Sequence, residues 1–239
     1  QPGDRFILLS ANRREGLVAN MAASATGTVC TQLNTRLSAA EIAEIAVDAM
    51  PKIALADREG ADRLMQCGGA FPIICLDGED RSAAAFADWL ATADGLTAPD
   101  RDCVPETELF QLYTSGTTGK PSGIILSQGA WSAQIEQYRI TQPYSPGDGV
   151  LVVTPLFHIA ATITATAALL SGARIELPHR FDAAAVLDML SDGSVAGTMM
   201  VPAMIDMVVS AAEQRQIVSV QGVRRICYGA SPITEGLLR

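Results

Sequence analysis

Short apolar runs alternate with longer stretches of helical periodicity through the first half of the chain. The runs FILLS, TVCTQL, KIALA and FPIICL have the length and composition of buried strands. Between them, Gly27 closes one predicted helix, and Ser38 with Glu41 forms a capping-box pattern that starts a second helix, which extends through Met50. Strands that alternate with helices of this length predict a mainly parallel sheet with helices on its faces.

The second half of the chain repeats this alternation. VLVVT, ARIEL, VAGTMMV and VRRICY predict four more strands, and one helix between them starts at Pro202, where a missing N–H is tolerated. A Pro- and Gly-rich segment, residues 141–149, interrupts the pattern. We therefore predict an α/β fold with two lobes of mainly parallel sheet flanked by helices, the first over residues 1–142 and the second over residues 143–239.

Composition limits the class of protein. With 49% hydrophobic and 18% charged residues, the 239-residue chain is predicted to be compact and globular. A net charge of −9 argues against a nucleic-acid binder, which needs a basic face. The five cysteines form no CxxC pair, so we interpret them as reduced packing residues and not as a zinc site or a disulfide framework.

Signals for membrane insertion or export are weak. The chain starts without a basic-then-apolar leader, and no apolar run reaches the roughly 18 residues that a membrane span requires. The longest candidate, residues 159–170, contains three threonines and predicts a buried helix. We expect a cytoplasmic protein without a transmembrane segment, and the sequence gives no indication of its oligomeric state.

The densest cluster of glycines and hydroxyl groups is YTSGTTGKPSG, residues 113–123. It lies between the strand-like runs LFQLY and GIIL, and a helix predicted to be capped by Ser127 follows. Glycines allow successive backbone N–H groups to turn toward an anion, hydroxyl groups add donors, and Lys120 adds positive charge. The pattern favours phosphate binding, and a turn of the same composition without a ligand is the simplest alternative.

A P-loop nucleotide hydrolase is another alternative for this segment. Such a loop has four residues between its glycines and runs from Gly-Lys-Ser/Thr straight into a helix. Here two residues separate Gly116 from Gly119, and Pro121 follows Lys120. The spacing therefore argues against a P-loop.

The segment LYTSGTTGKPSG resembles the T-S-G-T-T-G-x-P-K-G signature of the acyl-adenylate-forming (AMP-binding) superfamily. Three more segments are similar to superfamily motifs: LNTRL at residues 33–37, TPLFHIA at residues 154–160 and YGASPI at residues 228–233. Along its length the chain is most similar to the acyl-CoA synthetases, that is, to fatty-acid or aryl-acid CoA ligases. It departs from the signature at Ser122, where the superfamily usually has lysine.

The resemblance implies roles for three groups of residues. The residues expected to bind the β- and γ-phosphates of ATP are Thr114, Ser115, Gly116, Thr117, Thr118, Gly119 and Lys120. Phe157 and His158 are expected beside the acyl pocket and the reacting carboxylate, although a core position or a helix-entry cap also suits His158. The loop expected to line the adenine and acyl sites is Gly229, Ala230, Ser231 and Pro232. No metal ligand is expected within this chain.

The reaction that the resemblance implies has two steps. A carboxylate attacks the α-phosphate of ATP to give acyl-AMP and pyrophosphate, and coenzyme A then displaces AMP. The implied cofactors are ATP, Mg²⁺ and coenzyme A, and the implied partner is a small carboxylic acid. His158 stands where amino-acid-activating members have an aspartate, which favours a plain fatty or aryl acid.

Later superfamily motifs are missing from the sequence. A Y-G-x-T-E segment, a ribose-binding aspartate and a late catalytic lysine are expected after the YGASPI segment, so we expect an incomplete N-terminal large domain that is inactive alone. Four residues separate Gly229 from Thr234 and Glu235, too many for that segment, and the pair predicts a helix start. A nucleotide-binding non-catalytic relative or scaffold of the same fold stays open as an alternative, as does a carrier-protein thiol as the acceptor.

Overall fold

Each strand predicted from an apolar run is present in the computed structural model, which describes residues 1–78, 84–96, 103–115 and 121–238. The chain divides into two compact units, Gln1–Ala133 and Gln134–Arg239. This division falls inside a helix, whereas the boundary predicted after residue 142 follows the end of that helix. The boundary after residue 142 stays a prediction.

The first unit is built around one sheet. Its described strands are β1 (Arg5–Leu9), β2 (Val29–Gln32), β3 (Ile53–Ala56), β4 (Ile73–Cys75), β5 (Ala84–Ala85), β6 (Glu108–Ser115) and β7 (Pro121–Ser127). Its described helices are α1 (Arg14–Thr26), α2 (Ala39–Ala49), α3 (Arg58–Gln66), α4 (Phe86–Ala91) and the first part of α5 (Gln128–Thr141). The strand order is β5-β4-β3-β1-β2-β6-β7, and neighbouring strands are parallel except for β6 and β7. The short elements β5 and α4 were not anticipated from the pattern of the sequence.

The helix boundaries follow local signals in the sequence. Ser38 and Glu41 form the predicted capping box: the Ser38 N–H donates to Glu41 Oε2 at 2.8 Å, and the Glu41 N–H donates to Ser38 Oγ at 3.3 Å. Gly27 ends α1 with a φ of 69°, as predicted. The second helix ends one residue earlier than predicted, since Met50 adopts a left-handed φ of 48°.

Asp57 occupies the switch point of this sheet. The connection after β1 runs to β2 on one side and the connection after β3 runs to β4 on the other, so a crevice opens between their carboxyl ends. Asp57 Oδ2 accepts the Ala11 N–H and Asp57 Oδ1 accepts the Gly60 N–H, both at 2.8 Å. A carboxylate of the chain itself therefore binds two N–H groups at this crevice, where open α/β sheets commonly bind a ligand.

Both faces of the first sheet carry buried apolar side chains. On one face a cluster packs against α2 and α3 and consists of Ile7, Leu9, Leu33, Ile42, Ile45, Ala54, Ala56, Ala61 and Leu64. Another buried contact joins β6 to α5, where the rings of Phe110 and Trp131 meet edge to face with centroids 4.9 Å apart. Packing therefore fixes β6, which leads into the glycine-rich segment.

The second unit has a parallel sheet of its own. Its described strands are β8 (Gly149–Val152), β9 (Arg174–Glu176), β10 (Val195–Met200) and β11 (Arg225–Tyr228), in the order β11-β10-β8-β9. Its described helices after α5 are α6 (Ile159–Leu170), α7 (Ala183–Ser191), α8 (Pro202–Gln214) and α9 (Glu235–Leu238). The chain passes from β8 to β9 on one side and from β10 to β11 on the other, so the switch point lies between the carboxyl ends of β8 and β10.

Helix α6 is the buried helix predicted at residues 159–170. Its residues from 161 to 168 are buried, and these include Thr162, Thr164 and Thr166. No helix in the described part of the chain combines the length and apolar character needed to cross a membrane. The predicted α/β fold with mainly parallel sheets flanked by helices is confirmed.

Candidate functional site

The predicted phosphate-binding segment begins at the carboxyl end of β6. This strand ends at Ser115, and β7 returns antiparallel from Pro121, with Thr114 opposite Ser122 and Ser115 opposite Pro121. Of the predicted phosphate ligands, Thr114 and Ser115 belong to β6, and the Thr114 side chain is exposed. The remaining five, Gly116, Thr117, Thr118, Gly119 and Lys120, lie outside the described residues.

The described elements on either side of this segment agree with the sequence prediction: a strand precedes it, and a strand and then a helix follow it. Ser127 ends β7, and its Oγ accepts the Ala130 N–H at 3.3 Å at the start of α5. Ser127 therefore caps the helix as predicted. The two strands that border the segment are joined through seven residue pairs, from Glu108 opposite Ser127 to Ser115 opposite Pro121, which fixes both of its ends.

A row of side-chain hydrogen bonds beside this segment was not foreseen from the sequence. The Tyr113 hydroxyl donates to Asp48 Oδ2 on α2 and accepts from Gln111 Nε2 at 2.9 Å. Burial, and then the contact with Asp48, raise the pKa of the Tyr113 hydroxyl, so this group stays protonated and remains a donor. Local sequence patterns could not predict the contact between Tyr113 and Asp48, because the two residues are 65 positions apart in the chain.

Phe157 and His158 lie on the turn that leads from β8 into α6, at the switch point of the second sheet. Thr154 Oγ1 donates to the Met199 carbonyl on β10 at 3.3 Å, and Thr162 Oγ1 donates to the Leu156 carbonyl at 2.7 Å. These two bonds tie the turn to the neighbouring strand and to the helix that follows. The turn is therefore held by buried hydroxyl groups on both sides.

The two rings on this turn are in contact. Their centroids are 4.4 Å apart at an interplanar angle of 49°, with Phe157 half-buried and His158 exposed. His158 is the N-cap residue of α6, but its side chain makes no capping hydrogen bond to the helix. The core position considered for His158 is wrong because the residue is exposed, and the cap position is correct for its backbone only.

The predicted adenine and acyl loop, Gly229 to Pro232, follows the carboxyl end of β11. Ala230 has a left-handed φ of 68°, a conformation that residues other than glycine adopt at a cost of about 1 kcal/mol. A Cβ added to Gly229 would meet no described atom within 4 Å, so packing among the described residues does not require glycine here. Helix α9 begins at Glu235, directly after Thr234, in agreement with a helix start at this pair.

Both predicted groups in the second unit lie at the same edge of its sheet. Phe157 and His158 follow β8, and the loop from Gly229 follows β11, with β10 between these two strands. All three strands are parallel, so their carboxyl ends lie at one edge. This is the edge at which open α/β sheets bind their ligands.

The described residues meet the requirements of neither a metal site nor a disulfide framework. No group of three or more His, Cys, Asp or Glu side chains in the described ranges is placed to hold a metal ion. All five cysteines are described and are free thiols, and burial raises the pKa of Cys30 and of Cys227. Cys30 and Cys75 are buried, in keeping with the packing role predicted for the cysteines, whereas Cys103 is exposed and does not fit that role.

Comparison with known proteins identifies similarity to one enzyme family along the whole chain. The family model described as "AMP-binding enzyme" matches residues 1–239. Indoleacetate–CoA ligase of Aromatoleum aromaticum is 29% identical over 239 residues, which cover 97% of this chain and 46% of that protein. Fatty acid–[acyl-carrier-protein] ligase ScoC of Streptomyces coeruleorubidus is 29% identical over 99% of this chain and 46% of its own length. The chain thus spans about half the length of these curated relatives.

Solved structures share the fold. The inhibitor-bound N-terminal domain of FACL13 from Mycobacterium tuberculosis superposes with a TM-score of 0.83 at 26% identity, covering 99% of this chain and 59% of that chain. VinN in complex with L-aspartate has the same TM-score of 0.83 at 18% identity over 99% of this chain and 59% of that one, which shows the fold alone.

Proposed function

Because the chain belongs to the AMP-binding enzyme family, we propose that the complete protein is a ligase that activates a carboxylic acid with ATP and transfers the acyl group to a thiol. The observation that carries this proposal is the position of the motif segments. The segments at residues 157–158 and 229–232 each follow the carboxyl end of a strand that pairs in parallel with a neighbour, and the segment at residues 114–120 begins with the last two residues of such a strand, β6. Ligand-binding loops of α/β proteins lie at such ends.

In the proposed first step a carboxylate oxygen attacks the α-phosphorus of ATP. The new bond joins the acyl oxygen to phosphorus, and the bond from the α-phosphorus to the bridging oxygen breaks, so pyrophosphate leaves. We assign the β- and γ-phosphates to the hydroxyl groups, N–H groups and Lys120 of residues 114–120. Positioning and stabilisation of charge on phosphate oxygens supply most of the catalysis in such transfers.

The second proposed step forms the thioester. A thiolate attacks the acyl carbonyl carbon, and AMP leaves with the electron pair of the broken carbon–oxygen bond. The names of the relatives specify coenzyme A in one case and an acyl carrier protein in the other. We propose coenzyme A as the acceptor and keep a carrier-protein thiol as the alternative. Mg²⁺ would neutralise phosphate charge when bound, but the described residues form no cluster of ligands for it.

Phe157 and His158 are proposed to border the acyl pocket. The half-buried Phe157 ring presents an apolar surface, and the exposed imidazole of His158 beside it supplies a polar group for the carboxylate. The loop from Gly229 is proposed to lie against the adenine and acyl groups. The open space around Gly229 supports this assignment, since a flat ligand can approach a backbone that has no Cβ.

The proposed substrate is a fatty or aryl acid. No aspartate follows Phe157 to pair with an amino group, and relatives are named for indoleacetate and for fatty acids. We also propose that the protein acts in the cytoplasm, where ATP and coenzyme A are available and where free thiols such as its five cysteines persist.

ATP–pyrophosphate exchange by the complete protein tests the proposal. Exchange that depends on one acid from a panel of fatty, aryl and amino acids is the expected result. ATP binding without exchange would favour a non-catalytic relative, and ATP hydrolysis without any acid would favour a nucleotide hydrolase. We expect residues 1–239 alone to form no acyl-CoA, and measurable product from them would contradict that part of the proposal.

A further inference from the structure

A continuous row of hydrogen bonds crosses one face of the first sheet next to the phosphate segment. It starts at Asp48 on α2, which accepts from the Tyr113 hydroxyl, and continues from Gln111 Nε2 to that hydroxyl at 2.9 Å. Gln111 Oε1 then accepts from Arg5 Nε at 3.1 Å and from Thr31 Oγ1 at 3.3 Å. The row therefore links a helix to strands β6, β2 and β1.

The glycine that ends the signature segment makes room for this row. Gly123 on β7 lies directly opposite Tyr113 on β6. A Cβ at Gly123 would lie 2.7 Å from Gln111 Nε2 and 3.1 Å from Tyr113 Cζ. Even alanine would therefore displace the Gln111 amide and crowd the Tyr113 ring, which would have to shift by a few tenths of an ångström. The φ of Gly123 lies outside the left-handed region, so the reason for glycine here is steric.

The row acts on the two strand ends that border the phosphate segment. Tyr113 immediately precedes Thr114 and Ser115, and Gly123 is two residues beyond Pro121. The Tyr113 ring also packs against the buried cluster formed with α2 and α3. A strand end fixed to a helix by both an apolar contact and a hydrogen bond has less freedom than one held by strand pairing alone.

We propose that Tyr113, Asp48 and Gly123 are positioning residues for ATP, which hold the ends of β6 and β7 in the geometry that the phosphates require. This inference rests on the proposed function, and it adds residues that touch no substrate. Displacements of about 1 Å at a reacting centre can cost up to about a hundredfold in rate, so loss of a remote anchor is measurable.

The test compares ATP–pyrophosphate exchange in variants of the complete protein. Tyr113→Phe keeps the ring and removes the hydroxyl, and we expect the KM for ATP to rise about fivefold while the KM for the acid stays unchanged. Asp48→Ala removes one of the two hydrogen bonds of the Tyr113 hydroxyl, so its rise should be no larger than that of Tyr113→Phe. The double variant should give no more than Tyr113→Phe alone, because Tyr113→Phe already removes the bond to Asp48. Asp48→Asn retains an acceptor oxygen and should restore most of the wild-type KM.

Two matched controls accompany these variants. Glu44→Ala removes a carboxylate one turn earlier on α2, from an exposed residue with no side-chain hydrogen bond among the described residues, and should leave the KM for ATP unchanged. Gly236→Ala adds a methyl group where no described atom lies within 4 Å, and it should contrast with Gly123→Ala, for which we expect the KM for ATP to rise.

The outcomes separate this inference from the proposed function. If the wild-type protein exchanges pyrophosphate but Tyr113→Phe lowers only thermal stability, with its KM for ATP equal to that of Glu44→Ala, the row supports the fold and the inference is wrong. If the wild-type protein supports no exchange with any acid, both the proposed function and the inference are rejected.

Discussion

Ser122 lies directly opposite Thr114 in the antiparallel pair of β6 and β7, and both side chains are exposed. Residues opposite one another project to the same face of a sheet, and their neighbours project to the other. Ser122 therefore shares a face with a proposed phosphate ligand, while Gly123 lies on the face of Tyr113 and Gln111. A side chain at position 122 therefore lies on the face of the proposed phosphate site and away from the Tyr113 row.

The first prediction concerns this position. Ser122→Lys should lower the KM for ATP, by a factor of up to about five, because an exposed cation near phosphate contributes about 1 kcal/mol or less. The gain should shrink as salt rises, since exposed charges are screened. Ser122→Gln, of similar length and without charge, is the control. An unchanged or higher KM in the lysine variant would mean that backbone and hydroxyl groups alone bind the phosphates.

The second prediction concerns two buried threonines on one face of α6. Thr162 Oγ1 donates to the Leu156 carbonyl at 2.7 Å, whereas Thr166 Oγ1 has no hydrogen-bond partner among the described residues. Thr162→Val should lower the free energy of unfolding by about 1–2 kcal/mol, because it removes the hydrogen bond that Thr162 donates to a buried carbonyl. Thr166→Val loses no bond and should be neutral or slightly stabilising. Urea unfolding measures the stability of both variants. Equal losses of stability would mean that the hydrogen bond from Thr162 to Leu156 contributes nothing to the fold.

The third prediction concerns Asp57 at the switch point of the first sheet. Asp57→Ala should lower the free energy of unfolding by about 2–3 kcal/mol, since it removes both the cap of α3 and the acceptor of the Ala11 N–H. Asp182 caps α7 through the Ala185 N–H alone, at 2.8 Å, so Asp182→Ala should cost about 1 kcal/mol. A loss no larger for Asp57→Ala than for Asp182→Ala would mean that the bond to Ala11 contributes nothing.

The fourth prediction concerns pH. Asp148 lies directly before β8 and accepts hydrogen bonds from the Arg224 side chain and from the Ser145 N–H. The bond from Arg224, and to a smaller extent the bond from Ser145, lowers the pKa of the Asp148 carboxyl below its ordinary value. Because the pKa of Asp148 is lower in the folded state, its ionised carboxylate stabilises the fold. This stabilisation is present above the unfolded-state pKa of about 3.9 and is lost as the pH falls through the folded-state pKa. Half of the Arg224 side chain is exposed, so we expect less than about 1 kcal/mol.

Asp148→Asn measures this contribution. The variant should be less stable than the wild type at pH 6 in urea unfolding, and the difference should shrink as the pH falls below about 4. A difference that persists unchanged at pH 3 would show that charge on Asp148 is not its source.

The sequence determined the elements and the family resemblance. Apolar runs, the Ser38 capping box and Gly27 act over a few residues, so strands and helix ends follow from local patterns that the structure confirms. The resemblance at the glycine-rich segment is likewise a property of consecutive residues, and the match of residues 1–239 to one family agrees with it. Where local patterns were weak, as at β5 and α4, elements were missed.

Tertiary structure alone decided which distant residues meet. Strand order places Asp57 between β1 and β3, and it brings Asp48 to Tyr113 across 65 positions of sequence. The left-handed conformation of Ala230 is a backbone choice that its residue type disfavours. Local propensity cannot encode such contacts, because they depend on which strands become neighbours and on the packing that follows. The sequence therefore specified the motif residues, and the fold brought together the distant side chains beside the strands that border them.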